Sequence, residues 1–146
     1  MGLSLLRFSA TGAAVAVCLV ITTGAFAAVP PTKTTCPSAS LVGSVLGVHL
    51  SPLPSTTTAY AKVCSYKTSS VVPMKIQYQT DTPQTFAASE NAVPKTVEAR
   101  LTGLGKAAFG TKAGGFLAVF LGNESVRITA PGASLTQLET LARKLI

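Results

Sequence analysis

The sequence predicts an α+β domain: one antiparallel sheet of four or five strands with helices packed on one face. Three observations carry that expectation. Phe116-Leu117-Ala118-Val119-Phe120-Leu121 is a continuous apolar run of strand length; Val126, Ile128 and Ala130 alternate with Arg127 and Thr129 as in a half-buried strand; and Leu135, Leu138, Leu141, Ala142 and Leu145 share one helical stripe. The joints between these elements are equally plain. Gly122-Asn123 is a two-residue hairpin signal, because such turns require positive φ, and Pro131-Gly132 ends the return strand. Ser134 and Gln137 fit a capping box, in which the hydroxyl accepts a bond from the third helical N–H and the amide reaches back to the cap. Arg143 and Lys144 stand in the last turn, where cations suit the negative end of the helix dipole.

The N-terminus has a different character. Residues 1–29 carry one charge, Arg7, followed by the uncharged apolar run Ala13 to Ile21 and then Ala25-Phe26-Ala27. This is a signal-peptide pattern with an A-x-A site, so residues 1–27 are expected to be removed and the mature chain to begin at Ala28. The competing reading is an uncleaved anchor, since Phe8 to Val29 is just long enough to span a bilayer. Thr22, Thr23 and Gly24 interrupt that run and favour cleavage; only as an anchor would the segment keep the protein in the membrane. Cys18 lies inside the apolar core behind Val15-Ala16-Val17, which is not a lipobox. The expected location is secreted or in the cell envelope.

The mature chain from Ala28 to Ile146 is of single-domain size. It bears eleven Lys and Arg against five acids, a net +6, with the bases dispersed from Lys33 to Lys144. Nucleic-acid binders concentrate such charge along a helix or interleave it with aromatics, so the reading is no nucleic acid, and attraction to an anionic envelope or plain solubility instead. Two cysteines remain, Cys36 and Cys64, and in an exported chain they are expected to pair. Loop closure across that separation contributes on the order of 3 to 4 kcal/mol. A redox pair would favour C-x-x-C spacing.

In chain order, residues 28–35 hold Pro30, Pro31 and three threonines and read as an extended spacer; residues 36–146 form the domain. Pro37 suits a first helical turn, Leu41, Val42, Val45 and Leu46 give one face, and Gly47 ends the helix. Ser51 to Thr58, with Pro52 and Pro54, is expected to be a surface loop. Tyr60 to Lys67 is a strand around Cys64 whose buried face the sequence leaves open. Val72, Met74, Ile76 and Tyr78 alternate with Pro73, Lys75, Gln77 and Gln79 in the next strand, and Pro73 marks an edge or a strand start. Thr82-Pro83 opens a short helix through Phe86 and Glu90, ending near Asn91. Val97 to Leu101 suggests a further short strand, and residues 103–110 read as a glycine-rich turn.

Cys36-Pro37 before a helix ending in Leu46-Gly47, Cys64-Ser65-Tyr66 on a strand, and Gly103-Leu104-Gly105-Lys106-Ala107-Ala108-Phe109 before a hairpin and terminal helix together resemble small exported proteins and lipoproteins of actinobacteria. Several of those families have no assigned function. The resemblance implies a secreted or cell-envelope location and transfers no catalytic residue.

Residue patterns that carry chemistry are few. His49 is the only histidine, and no G-x-S-x-G elbow accompanies it. The carboxylates are Asp81, Glu90, Glu98, Glu124 and Glu139; a pair flanking a glycosidic bond needs a separation that sequence does not show, and solvated surface charge is the simpler reading. One histidine and two paired cysteines leave no metal cluster, and no cofactor motif is present. Gly105 to Lys112 reads G-x-x-x-x-G-T-K, with Thr111 and Lys112 in the wrong order for a phosphate loop. Asn123-Glu124-Ser125 matches a glycosylation sequon, although a hairpin turn favours Asn in any case.

The functional expectation is an exported binding protein without catalytic activity, whose ligand is apolar or lipid-like or is another envelope protein. The alternative is a small secreted hydrolase using His49. Phe116, Leu117, Val119, Phe120 and Leu121 are the candidate ligand or partner face, because helices on one side only would leave half of this run uncovered. Loops 51–58 and 106–115 folding over it are the simpler cover.

Overall fold

The computed structural model describes residues 30–146, so the expected signal peptide, residues 1–27, lies outside the described residues. The elements in order are α1 (Ala39–Leu46), β1 (Ser51–Pro52), β2 (Thr56–Thr57), β3 (Ala61–Lys67), β4 (Met74–Thr80), α2 (Pro83–Asn91), β5 (Glu98–Leu101), β6 (Ala107–Thr111), β7 (Phe116–Phe120), β8 (Glu124–Thr129) and α3 (Leu135–Leu145). The class is α+β. All eight strands form one sheet of order β1-β3-β4-β8-β7-β6-β5, with β2 sharing the outer edge of β3, and every pairing is antiparallel.

The sheet is therefore larger than the four or five strands expected. β1 and β2 are two residues each, inside the proline-bearing loop, and they exist because β3 offers an edge to pair with. β6 occupies the segment expected to be a glycine-rich turn. Gly105 explains both readings: its φ is +62°, and a Cβ there would stand 2.5 Å from the Phe120 carbonyl oxygen. Only glycine lets the chain turn that tightly against β7 before it straightens into β6.

Strand alternation gives the sheet two buried faces. On one, Val42 and Leu46 of α1 and Leu138, Leu141 and Leu145 of α3 join Cys64, Tyr66, Met74, Ile76, Leu117, Val119, Val126 and Ile128 in one cluster. On the other, Phe86 of α2 packs with Phe109, Ala118 and Phe120, and Phe116, Ala107 and Val93 lie against them. Helices thus lie on both faces, α2 covering the β6–β7 part of the second, which corrects the one-face expectation. The reason is local: β7 is apolar at consecutive positions and needs cover on both sides, and α2 supplies the second.

The caps hold each helix at its start. Ser134 and Gln137 form the expected capping box, and Thr82 and Thr85 form another at the start of α2. α1 begins one residue after Ser38, whose hydroxyl accepts from the Leu41 N–H, so Pro37 precedes the cap rather than occupying the first turn; Gly47 closes the helix at φ 70°. Cys36 and Cys64 are disulfide-bonded with Cα atoms 5.6 Å apart, and the Tyr66 hydroxyl donates to the Pro37 carbonyl at 2.7 Å. Residues 30–35 carry no helix or strand, yet they are fastened down: Pro31 is buried, Thr32 donates from N–H and hydroxyl to Glu124, and Lys33 donates to the Leu145 carbonyl.

Candidate functional site

Met74 starts β4 and Thr129 ends the antiparallel β8, so both lie at one end of the sheet, where α1 also ends and α3 begins. A cleft of about 190 Å³ opens there. Leu46, Val48, Leu50, Met74, Ala130 and Ala133 supply its apolar wall, and Thr68, Ser69, Ser70 and Gln137 its polar atoms. Two contacts shape it. Gln137 Nε2 donates to the Leu46 carbonyl at 2.8 Å and ties α3 to the end of α1. Val48 N–H donates to the Gly43 carbonyl at 3.0 Å, and a Cβ on Gly43 would stand 2.5 Å from the Val48 oxygen, so glycine is needed for the chain to fold back this closely. Leu50 is then buried while Val48 stays 47% exposed. The β3–β4 turn that borders the cleft also carries Val71, fully exposed, and Val72, 52% exposed.

His49 is exposed and lines a second, more open cleft of about 510 Å³, with Ser40 and Ser44 from α1. No carboxylate lines it, and Ser44 donates to the Leu41 carbonyl at 2.8 Å. A hydrolytic triad needs an acid to orient its histidine, and this cleft does not provide one.

Four of the five carboxylates, Asp81, Glu90, Glu98 and Glu124, are engaged rather than simply solvated. Asp81, its side chain 1% exposed, accepts from the Thr85 hydroxyl, Ser125 Oγ at 2.8 Å, Arg127 Nη2 at 3.1 Å, Gln79 Nε2 at 3.1 Å and Thr82 N–H at 3.1 Å. Burial pushes its pKa up, but the hydrogen bonds from Thr85, Ser125, Arg127 and Gln79 outweigh burial and hold it below the ordinary aspartate value. Such a carboxylate is an anchor, joining the start of α2 to β8. Glu98 is buried between Lys95 at 2.7 Å and Arg100 at 3.1 Å, and Arg100 also reaches Glu90 at 2.8 Å, which pins the edge strand β5 to α2. The hydrogen bond from Lys95 lowers the Glu98 pKa against the opposing effect of burial, with Arg100 adding to the lowering. Sequence reasoning missed the Asp81–Arg127 pair because 46 residues separate the partners. The available signal was a base on the alternating strand β8, on the face that Ser125 shares.

The candidate ligand face is interior. Leu117 and Val119 are fully buried in the cluster with α1 and α3, Phe120 packs under Phe86, and Phe116 and Leu121 are half-buried against those clusters. The cover comes from the three helices together with Ala107, Ala108 and Phe109 of β6, which lie inside the stretch 106–115, whereas no residue of 51–58 belongs to either cluster.

Among the described residues no group of three or more His, Cys, Asp or Glu is placed to hold a metal ion, and no helix is long and apolar enough to cross a membrane. The chain matches no protein-family model, no curated protein and no solved structure at a significant level.

Proposed function

We propose that this is an exported binding domain that recognises another cell-envelope protein through the cleft between α1, the β3–β4 turn and the β8–α3 turn. The observation that carries this reading is the size and lining of the cleft. Its volume of about 190 Å³ is below the roughly 300 to 1,000 Å³ of small-molecule sites. That space suits one or two apolar side chains of a partner better than a lipid tail. Val48, Val71 and Val72 are exposed on the segments that frame it, and apolar residues grouped outside a monomer mark interaction sites. The disulfide fits an oxidising compartment outside the cytosol.

The test is a photo-crosslinking side chain at position 71 in the native host, read by mass spectrometry. A protein adduct that disappears in Val48→Lys supports the reading. No adduct, or one unaffected by Val48→Lys, overturns it, and an adduct to lipid alone replaces it with the lipid-ligand reading. The second reading, a hydrolase, draws on the placement of Ser40 and Ser44 in the His49 cleft. Ester cleavage lost in His49→Ala would establish it.

A further inference from the structure

Beside α2, the second face of the sheet is open over β3, β4 and β8. Cys64, Tyr66, Ile76, Tyr78, Val126 and Ile128 point into the core under α1 and α3. Alternation therefore turns Ser65, Lys67, Lys75, Gln77, Gln79 and Arg127 to the other side. The register sets Lys75 between Ser65 and Thr129, and Gln77 between Val63 and Arg127. Lys67 follows Ser65 by two residues and so stands diagonal to Lys75, about 7 to 8 Å away.

This surface is prearranged for hydrogen bonding. Gln77 Nε2 donates to Gln79 Oε1 at 2.6 Å, Gln79 Nε2 donates to Asp81 at 3.1 Å, and Arg127 donates to Asp81 and to Ser89 Oγ, the latter at 3.0 Å. The buried carboxylate thus fixes two amides and a guanidinium, which have little rotamer freedom left to lose on binding.

The charge on this surface has one sign. Lys67 and Lys75 are exposed, Arg127 is partly so, and the one carboxylate in the network, Asp81, is 1% exposed. Like charges set close on a sheet face repel, and an anion between the two lysines removes that repulsion. On β3, β4 and β8 themselves Val63 is the only side chain of this face that is aliphatic and larger than alanine, and the neighbouring aromatic, Phe116 beside Thr129, is half-buried against Phe109, so the surface offers few of the anchors that protein partners use. We propose that this platform binds an anionic polyol chain of the cell envelope, its acidic group between Lys67 and Lys75 and its hydroxyls on Gln77 and Gln79. The site lies on the opposite face of the sheet from the apolar cleft; it rests on the same exported reading, but the choices of an anionic polyol here and of a protein in the cleft fail or stand separately.

The experiment titrates the ¹⁵N-labelled mature protein with polyglycerol phosphate, polygalacturonate and neutral dextran at 0.1 M salt. The expected result is amide shifts confined to Ser65, Lys67, Lys75, Gln77, Gln79 and Thr129 with one or both anionic polymers and none with dextran. Whichever anionic polymer binds more tightly tells phosphate from carboxylate. Affinity should fall at least tenfold in Lys67→Glu/Lys75→Glu and in Gln77→Ala, with unchanged melting temperature, and stay the same in the control Lys112→Glu. No binding, shifts spread over all lysines, equal binding of dextran, or an equal loss in the control overturns the proposal.

Discussion

Phe86 of α2 and Phe120 of β7 stack with ring centroids 5.2 Å apart and planes 28° from parallel, on the face of the sheet opposite α1 and α3. Phe109 meets the same Phe86 ring edge-on at 5.2 Å. One side chain therefore carries the contribution of α2 to the second core, because Phe86 is the only buried residue of that helix.

Phe86→Ala is accordingly expected to cost about 3 to 5 kcal/mol, the usual range for emptying a buried phenylalanine site. Urea unfolding followed by circular dichroism measures this, and binding of an apolar dye should rise as Phe109 and Phe120 become wet. A loss below about 1 kcal/mol would mean that the sheet closes that face without α2.

Asp81 gives a pH dependence of definite sign. Its folded pKa lies below its ordinary value of 3.8, so its contribution to stability is present above about pH 4 and is lost as pH falls through the folded value. Asp81→Asn leaves Arg127, whose side chain is 23% exposed, without its counter-ion. The expected cost at neutral pH is near the lower end of the roughly 3 to 5 kcal/mol seen when one partner of a buried pair is removed. Thermal melts of both proteins between pH 2 and 7 decide the matter: the acid-induced drop should be smaller in the variant, and parallel curves would assign the acid sensitivity to other carboxylates.

Removing the Cys36–Cys64 bridge is expected to cost about 2 to 4 kcal/mol, since it frees a loop that holds α1, β1 and β2. The Cys36→Ser/Cys64→Ser variant and the native protein are compared by denaturant unfolding, with intact mass confirming oxidation. Two free thiols in protein exported by its host would refute the bridge in the functioning protein.

What the sequence determined by itself was local. The capping box of α3, the stripe of Leu138, Leu141 and Leu145, the β7–β8 hairpin and the alternation of β4 depend on neighbours a few residues apart, and each stands within a residue or two of its expected place. The Cys36–Cys64 pair was legible because the third cysteine, Cys18, lies inside the N-terminal apolar segment, which left these two as the expected pair. Other features depended on residues far apart in the chain. β6 is a strand because Ala108 and Phe109 pair with Val119 and Ala118 of β7, whereas Gly110 within it and Gly103 and Gly105 before it argue for a turn. β1 and β2 exist because β3 has an edge to offer. The faces of β3 are told apart only by the core, which takes Cys64 and Tyr66. The side of the sheet on which α2 lies, the engagement of Asp81 by Arg127, and the cleft beside Val48 come from contacts spanning tens of residues, and no local pattern records them. Local hydrogen bonding and periodicity act along the chain, while burial and ion pairing act through space, and the candidate sites are products of the second kind.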